Sequence, residues 1–242
     1  MITLKYSNDD RGFTLIELLV AISITGIVIT LTGSGLYALM SANQRSQTET
    51  TERLELEQAL AFMTDEIKMS KQIAFYPPTQ TAKHSSFDGA SGSSHTQPIL
   101  VLNPSANSGL TDPIIYYLAN PPSKSVWLGP KVIYRWGPTL LKNGQYSDGR
   151  GHEISKNLFD PKVGVEYYNE VLIDRMSDLK AAEANISCDR IYSYAVPSVS
   201  ERLGFYACIA PDGKSVKLWL QKQPNTSGKS QSINSLVVTR SN

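Results

Sequence analysis

Between Arg11 and Arg45 the chain carries one charged side chain, Glu17. The apolar run from Phe13 to Met40 exceeds the roughly 20 residues an α-helix needs to cross a hydrocarbon layer, so a membrane-spanning helix is expected. A carboxylate inside such a helix costs about 2.5–3.5 kcal/mol on insertion scales. No cation lies within the run itself, so Glu17 needs a partner from elsewhere. A secretory signal peptide is the lesser reading. Its apolar region spans about 7–15 residues and ends in a small-residue cleavage site. Here the run is longer, Glu17 interrupts it near its start, and Met40-Ser41-Ala42 matches that site poorly.

Beyond the apolar run the helical signal continues with a different chemistry. From Arg45 to Ala74 the chain is polar, but Leu56, Leu60, Met63, Ile67 and Ala74 fall on one helical stripe, the pattern of an amphipathic helix packed on a core. Pro77-Pro78 is expected to end it, because proline lacks the donor and biases its predecessor away from helical angles. The economical reading is one helix from about Phe13 to Phe75, with residues 13–40 apolar and 41–75 amphipathic. Gly26, Gly33 and Gly35 weaken its first half by roughly 1 kcal/mol each relative to alanine. Close helix packing and local melting both account for them.

Residues 76–242 read as a separate β-rich head. Thr79 to Gln97, rich in Ser, Thr, Gly and His, is expected to be a long loop or insertion. Short β-branched and aromatic runs between turn signals then predict strands at Pro98–Leu102, Pro113–Leu118, Lys131–Trp136, Val171–Ile173, Gly204–Ala210 and Ser215–Gln221. The best hairpin is Phe205 to Leu220. Its turn, Pro211-Asp212-Gly213-Lys214, combines a proline that presets one angle with a glycine that admits a positive one. All three Trp and ten of the twelve Tyr lie beyond Phe75, so the head has material for a core. The fold class expected is α+β: a long N-terminal helix packed on a β-rich head. Cys188 and Cys208 are the two cysteines, and an exported compartment favours joining them. Closing that loop adds roughly 3 kcal/mol in the chain-entropy picture.

Catalytic constellations are thin. His84, His95 and His152 lie in loop-like sequence without zinc-ligand spacing. Gly33-Ser34-Gly35-Leu36-Tyr37-Ala38 sits in the apolar helix with no strand before it, so it is no dinucleotide fingerprint. Asp148 to Glu153 departs from EF-hand spacing and reads as a solvated turn. No enzyme activity, metal or cofactor is expected. The net charge of +1 gives no global excess for nucleic acid, and Lys214, Lys217, Lys222, Lys229 and Arg240 read as a solvated basic face.

The run Gly12-Phe13-Thr14-Leu15-Ile16-Glu17 resembles the N-terminal processing motif of type IV pilins and of the pseudopilins of type II secretion. The resemblance implies a leader, residues 1–12, removed by a prepilin peptidase that cuts between Gly12 and Phe13 and methylates the new amine of Phe13. It further implies that Glu17 is an assembly residue, paired with the N-terminal ammonium of a neighbouring subunit. Lys5 and Arg11 would stay in the cytoplasm, in keeping with positive-inside bias. The implied partners are the peptidase, other major and minor pilins or pseudopilins, and an inner-membrane assembly platform. The implied location is the bacterial inner membrane, single-pass, with a cytoplasmic N-terminus and an external head, and then the pilus or pseudopilus.

The head motifs Met63-Thr64-Asp65-Glu66-Ile67, Ile115-Tyr116-Tyr117, Ile133-Tyr134-Arg135-Trp136 and Val171-Leu172-Ile173-Asp174 resemble J-type minor pseudopilins and PilW-like minor pilins. Gly204 to Ile209 resembles pseudopilins of hormogonium polysaccharide secretion. A minor subunit at or near the filament tip is the expectation. The alternative is a tip adhesin or DNA- or polysaccharide-binding minor pilin that uses Thr79 to Gln97.

Overall fold

The computed structural model describes residues 14–74, 98–105, 108–110, 112–141, 145–147, Ile154, 165–178, Cys188, Tyr192, 194–196, 204–223 and 230–239. The chain divides into two compact units, Met1–Thr50 and Thr51–Asn242, and helix α1 (Leu15–Met69) runs through the boundary.

In the first unit α1 is long and apolar enough to cross a membrane, and its apolar side chains are exposed. Hydroxyls in this stretch bond to their own helix: Ser23 Oγ donates to Leu19 O (2.9 Å), Thr30 Oγ1 to Gly26 O (2.8 Å) and Thr32 Oγ1 to Val28 O (2.8 Å). Satisfied in this way, they can sit in a medium without water. Helix α1 is continuous through Gly26, Gly33 and Gly35, and a Cβ at any of the three would meet nothing within 4 Å. Packing among the described residues therefore does not call for these glycines.

In the second unit α1 buries Glu52, Leu56, Ala59, Leu60, Met63, Glu66 and Ile67. The series Glu52, Leu56, Ala59, Met63, Glu66, Ser70 advances by alternating steps of four and three, which keeps one seam facing the core. Strands β1 (Gln72–Ala74), β2 (Pro98–Asn103), β3 (Ile114–Ala119), β4 (Lys131–Gly137) and β5 (Tyr168–Met176) form an antiparallel sheet in that order. A second antiparallel sheet runs β6 (Tyr194–Val196), β7 (Phe205–Ile209), β8 (Ser215–Gln221), β9 (Ser232–Val238).

Alternation of side chains along the strands explains the layering. Leu100, Leu102, Ile114, Tyr116 and Ile133 join the helix seam and residues of β7, β8 and β9 in one core, while Val101, Ile115, Tyr117, Tyr134 and Trp136 form a second cluster. The architecture is α+β, with one long helix and antiparallel sheets, as the sequence pattern implies.

The helix ends earlier than expected. It stops at Met69 rather than near Phe75, because Ser70 closes the last turn: its N–H donates to Glu66 O (3.0 Å) and its hydroxyl to Ile67 O (2.7 Å). Beyond it Lys71 N donates to Asn103 O (2.9 Å) and Ile73 N to Gly213 O (2.7 Å), so Ala74 lies in β1 opposite Val101 instead of on the helical stripe. Each of the six expected strands is present, Ser215–Gln221 with the bounds expected and the other five with one or both ends shifted. Strands β1, β6 and β9 were not expected. Thr79 to Gln97 lies outside the described residues.

The β7–β8 hairpin pairs Phe205 with Leu220, and Gly213 in its turn has φ +64°. A Cβ there would lie 2.6 Å from Ile73 O, so the position requires glycine both for its left-handed backbone and for the close approach of β1. Gly213→Ala is expected to destabilise the head by about 1–3 kcal/mol in denaturant unfolding. An unchanged midpoint would show that the β1–turn contact is dispensable.

Candidate assembly site

Glu17 sits in the first turn of α1, where a negative charge complements the helix dipole. Thr14 caps that helix. Glu17 N donates to Thr14 Oγ1 (3.3 Å), while Thr14 N and Thr14 Oγ1 each donate to Glu17 Oε2 (3.1 Å). This is a reciprocal capping box, and its signal, Thr followed three residues later by Glu before an apolar run, is written in Thr14-Leu15-Ile16-Glu17. One carboxylate oxygen is thereby occupied, and among the described residues the other accepts no hydrogen bond. The surroundings are apolar and open: Leu15 is 83 % exposed and Ile16 70 %. Gly12 and Phe13 lie outside the described residues.

In the second unit three carboxylates of α1 each meet a cation carried by or beside a strand. Glu66 and Arg135, both 1 % exposed, form a bidentate pair: Arg135 Nη2 lies 2.7 Å from Glu66 Oε1 and Arg135 Nε donates to Glu66 Oε2 at 3.0 Å. The Tyr116 hydroxyl also donates to Glu66 Oε2. Glu170 Oε2 lies 3.6 Å from Arg135 Nη1, and the guanidinium stands 5.7 Å from the centre of the Phe62 ring. Gly137 leaves room for it, since a Cβ there would come within 3.0 Å of the guanidinium.

Lys222 is a correction. Expected on a solvated face, it is fully buried, with its ammonium on the Glu55 carboxylate and 4.0 Å from Asp174 Oδ1. It lies just past β8, where the isolated bridge between Met176 and Lys222 joins the two sheets. Glu52 completes the set through Arg175 Nη1 at 3.9 Å. Sequence reasoning placed only apolar residues on the helix seam. The four-three spacing that includes Glu52 and Glu66 was the available signal.

Burial and the Glu66 charge push the Tyr116 and Tyr146 phenols well above their ordinary range. Burial and the nearby Asp112 do the same to Tyr167. Burial opposes the charge of Arg135, but Glu66 outweighs it and holds the guanidinium protonated. Above about pH 10 the unfolded chain releases phenolic protons that the folded head retains. Stability is therefore intact below that pH and falls as pH rises beyond it. In an alkaline titration the phenolate absorbance of these tyrosines should appear together with loss of the fold. Their ionisation with the fold intact would contradict the assignment.

Cys188 and Cys208 are joined in a disulfide with a Cα–Cα distance of 5.5 Å, beside Tyr192, Ala210 and Trp219. Among the described residues no group of His, Cys, Asp and Glu could hold a metal ion. His84, His95, His152 and the Asp148–Glu153 run lie outside them. The Glu66–Arg135 pair is sealed in the core, while Glu55 and Arg175 reach the surface, and all three pairs hold the helix to the sheets.

Among the described residues the α+β chain has one helix long and apolar enough to cross a membrane, and the charge on that apolar stretch sits in its first turn, at Glu17. Residues 7–33 match the model of the prokaryotic N-terminal methylation motif. The chain thus carries the prepilin-type N-terminus, which supports its place in the type IV pilin and pseudopilin family, whose members are structural subunits processed by prepilin peptidase. The motif and the apolar helix together fit a single-pass inner-membrane protein. Comparison with curated proteins and with solved structures finds no match.

Proposed function

We propose that the chain is a minor pilin or pseudopilin. Its leader, residues 1–12, is cut between Gly12 and Phe13, Phe13 is N-methylated, and the mature subunit takes its place at or near the tip of a type IV pilus or a type II secretion-like pseudopilus. There it supports secretion or pilus assembly. The observation that carries this reading is the methylation-motif match over residues 7–33 around the lone carboxylate of the apolar run.

Glu17 has the chemistry for the assembly step. Its Oε2 is engaged by Thr14, and its second oxygen is available to the Phe13 ammonium of a neighbouring subunit. Each of these two charges is costly in the membrane alone, and pairing them makes stacking of subunits favourable. The size of the head, residues 76–242, supports a minor rather than a major role. Affinity isolation of the mature protein from membranes tests the proposal. Other pilins and the assembly platform should co-purify, and deletion of the gene should impair secretion, twitching or DNA uptake. Recovery as a lone membrane protein, with all three processes intact, would refute it.

A further inference from the structure

In the second unit a pocket of about 370 Å³ opens between α1, β5 and the loop that joins β3 to β4, within the size range of ligand sites. From α1 come Glu55, Gln58 and Phe62, whose three- and four-residue spacing puts them on one helix face. Leu172 and Asp174 come from β5, and Trp127 from the loop. Among the described residues no side chain fills this space.

The backbone is bent to build it. Between the pairs Lys131–Met176 and Ile133–Ile173, β5 advances three residues against two of β4, a bulge at Asp174 and Arg175. Arg175 holds φ +52°, in the left-handed region that non-glycine residues rarely enter. Leu128 N donates to Asp174 Oδ2 (2.9 Å) and Arg175 N donates to Leu128 O (3.0 Å), so the bulge fastens the Trp127 loop to β5. Strained backbone of this kind collects at ligand sites. The loop also exposes three consecutive apolar residues: Trp127 is flanked by Val126, 86 % accessible, and Leu128, 52 %. Contiguous apolar surface beside a polar pocket is the mark of a protein-binding site.

Charge and hydrogen-bonding capacity select the occupant. Glu55 and Asp174 share the buried Lys222 ammonium, and Glu52, one turn earlier on α1, has Arg175 at 3.9 Å. Three carboxylates thus stand against two cations, and one negative charge is left in excess with these partners counted. Among the described residues Glu55 Oε1 accepts no hydrogen bond. Ionised carboxylates only accept, so the occupant must donate and must carry positive charge. The described carboxylates form no group that could hold a metal ion, which points to an organic cation. A guanidinium presents five donors in a planar fork and stacks on aromatic faces such as that of Trp127. The head uses this chemistry once already, where Arg135 lies between Glu66 and the Phe62 ring. We propose that the pocket binds an arginine side chain of a partner protein, with Val126 and Leu128 packing on the apolar residues beside that arginine. Only the identification of the partner as a fellow subunit rests on the assembly reading.

The test uses the full chain in detergent micelles and follows the Trp127 indole N–H by NMR as blocked peptides are added. One is valine–arginine–valine, one valine–lysine–valine, and the third valine–citrulline–valine, an uncharged isostere of the first. The arginine peptide should shift the Trp127 resonance and bind about fivefold or more tightly than either of the others. Gln58→Lys places a cation on the pocket rim and should weaken arginine binding by about fivefold or more, with the rest of the amide spectrum unchanged. Trp127→Ala removes the stacking wall and should weaken it likewise, read from the Gln58 side-chain amide. Both side chains are exposed, so neither change removes core packing. Equal binding of the arginine peptide and either control, or undiminished binding by both variants, would overturn the proposal. So would the absence of any Trp127 shift, the result expected if a segment of the chain itself occupies the pocket. None of these readouts involves processing or filament assembly, so they fail or succeed independently of the proposed function.

Discussion

Replacing Arg135 with methionine is expected to destabilise the head by about 3–5 kcal/mol, because it leaves Glu66 buried without its cation. Methionine restores much of the volume, so the loss is electrostatic rather than a cavity effect. The remaining Tyr116 hydroxyl satisfies one oxygen of Glu66 but cannot balance its charge. Arg135→Lys should also be costly, since lysine cannot reproduce the two parallel bonds at 2.7 and 3.0 Å. Replacing both partners, Glu66→Met with Arg135→Met, should recover most of the loss, short of about 1 kcal/mol for the acceptor that Tyr116 forfeits. Denaturant unfolding of the full chain, followed by the fluorescence of the buried Trp136, measures all three. A loss below about 1 kcal/mol for Arg135→Met would mean that the pair adds nothing beyond packing.

Glu17→Ala is expected to leave the cut after Gly12 intact and to lower incorporation into filament or tip complex by about tenfold or more, as an ion pair worth at least 1.4 kcal/mol in the membrane requires. The capping box complicates the reading, because removing Glu17 also removes two hydrogen bonds at the helix start. Glu17→Gln separates the two roles. Glutamine retains the acceptor that receives Thr14 N and Oγ1, but it carries no charge. If intersubunit pairing is the function, Glu17→Gln fails as badly as Glu17→Ala. If helix capping is the function, Glu17→Gln behaves as wild type. Quantitation of the sheared filament fraction against the membrane fraction decides between them.

The pattern of legibility in this chain follows from how local each signal is. The apolar run, Glu17 and the turn at Gly213 are local, so period, composition and turn chemistry revealed them. The end of α1 was misplaced because its cause is distant: Asn103 and Gly213 draw Lys71 and Ile73 into hydrogen bonds that no nearby residue announces. Strand β9 escaped because its exposed face carries both polar and apolar residues, which blurs the alternation. The three carboxylates of α1 read as ordinary surface until Arg175, Lys222 and Arg135 arrive from sequence separations that only the folded chain closes. Lys222 is the sharpest case, since a lysine in a basic run reads as solvated and is instead fully buried.

The processing route is the centre of the account, and the mass of the mature N-terminus tests it most directly. Peptide mass spectrometry of the protein isolated from membranes should find a chain that begins at Phe13 and carries one added methyl group on its amine, in wild type and in Glu17→Ala alike. A chain that retains Met1 to Gly12, or one cut after Ala42, would contradict it.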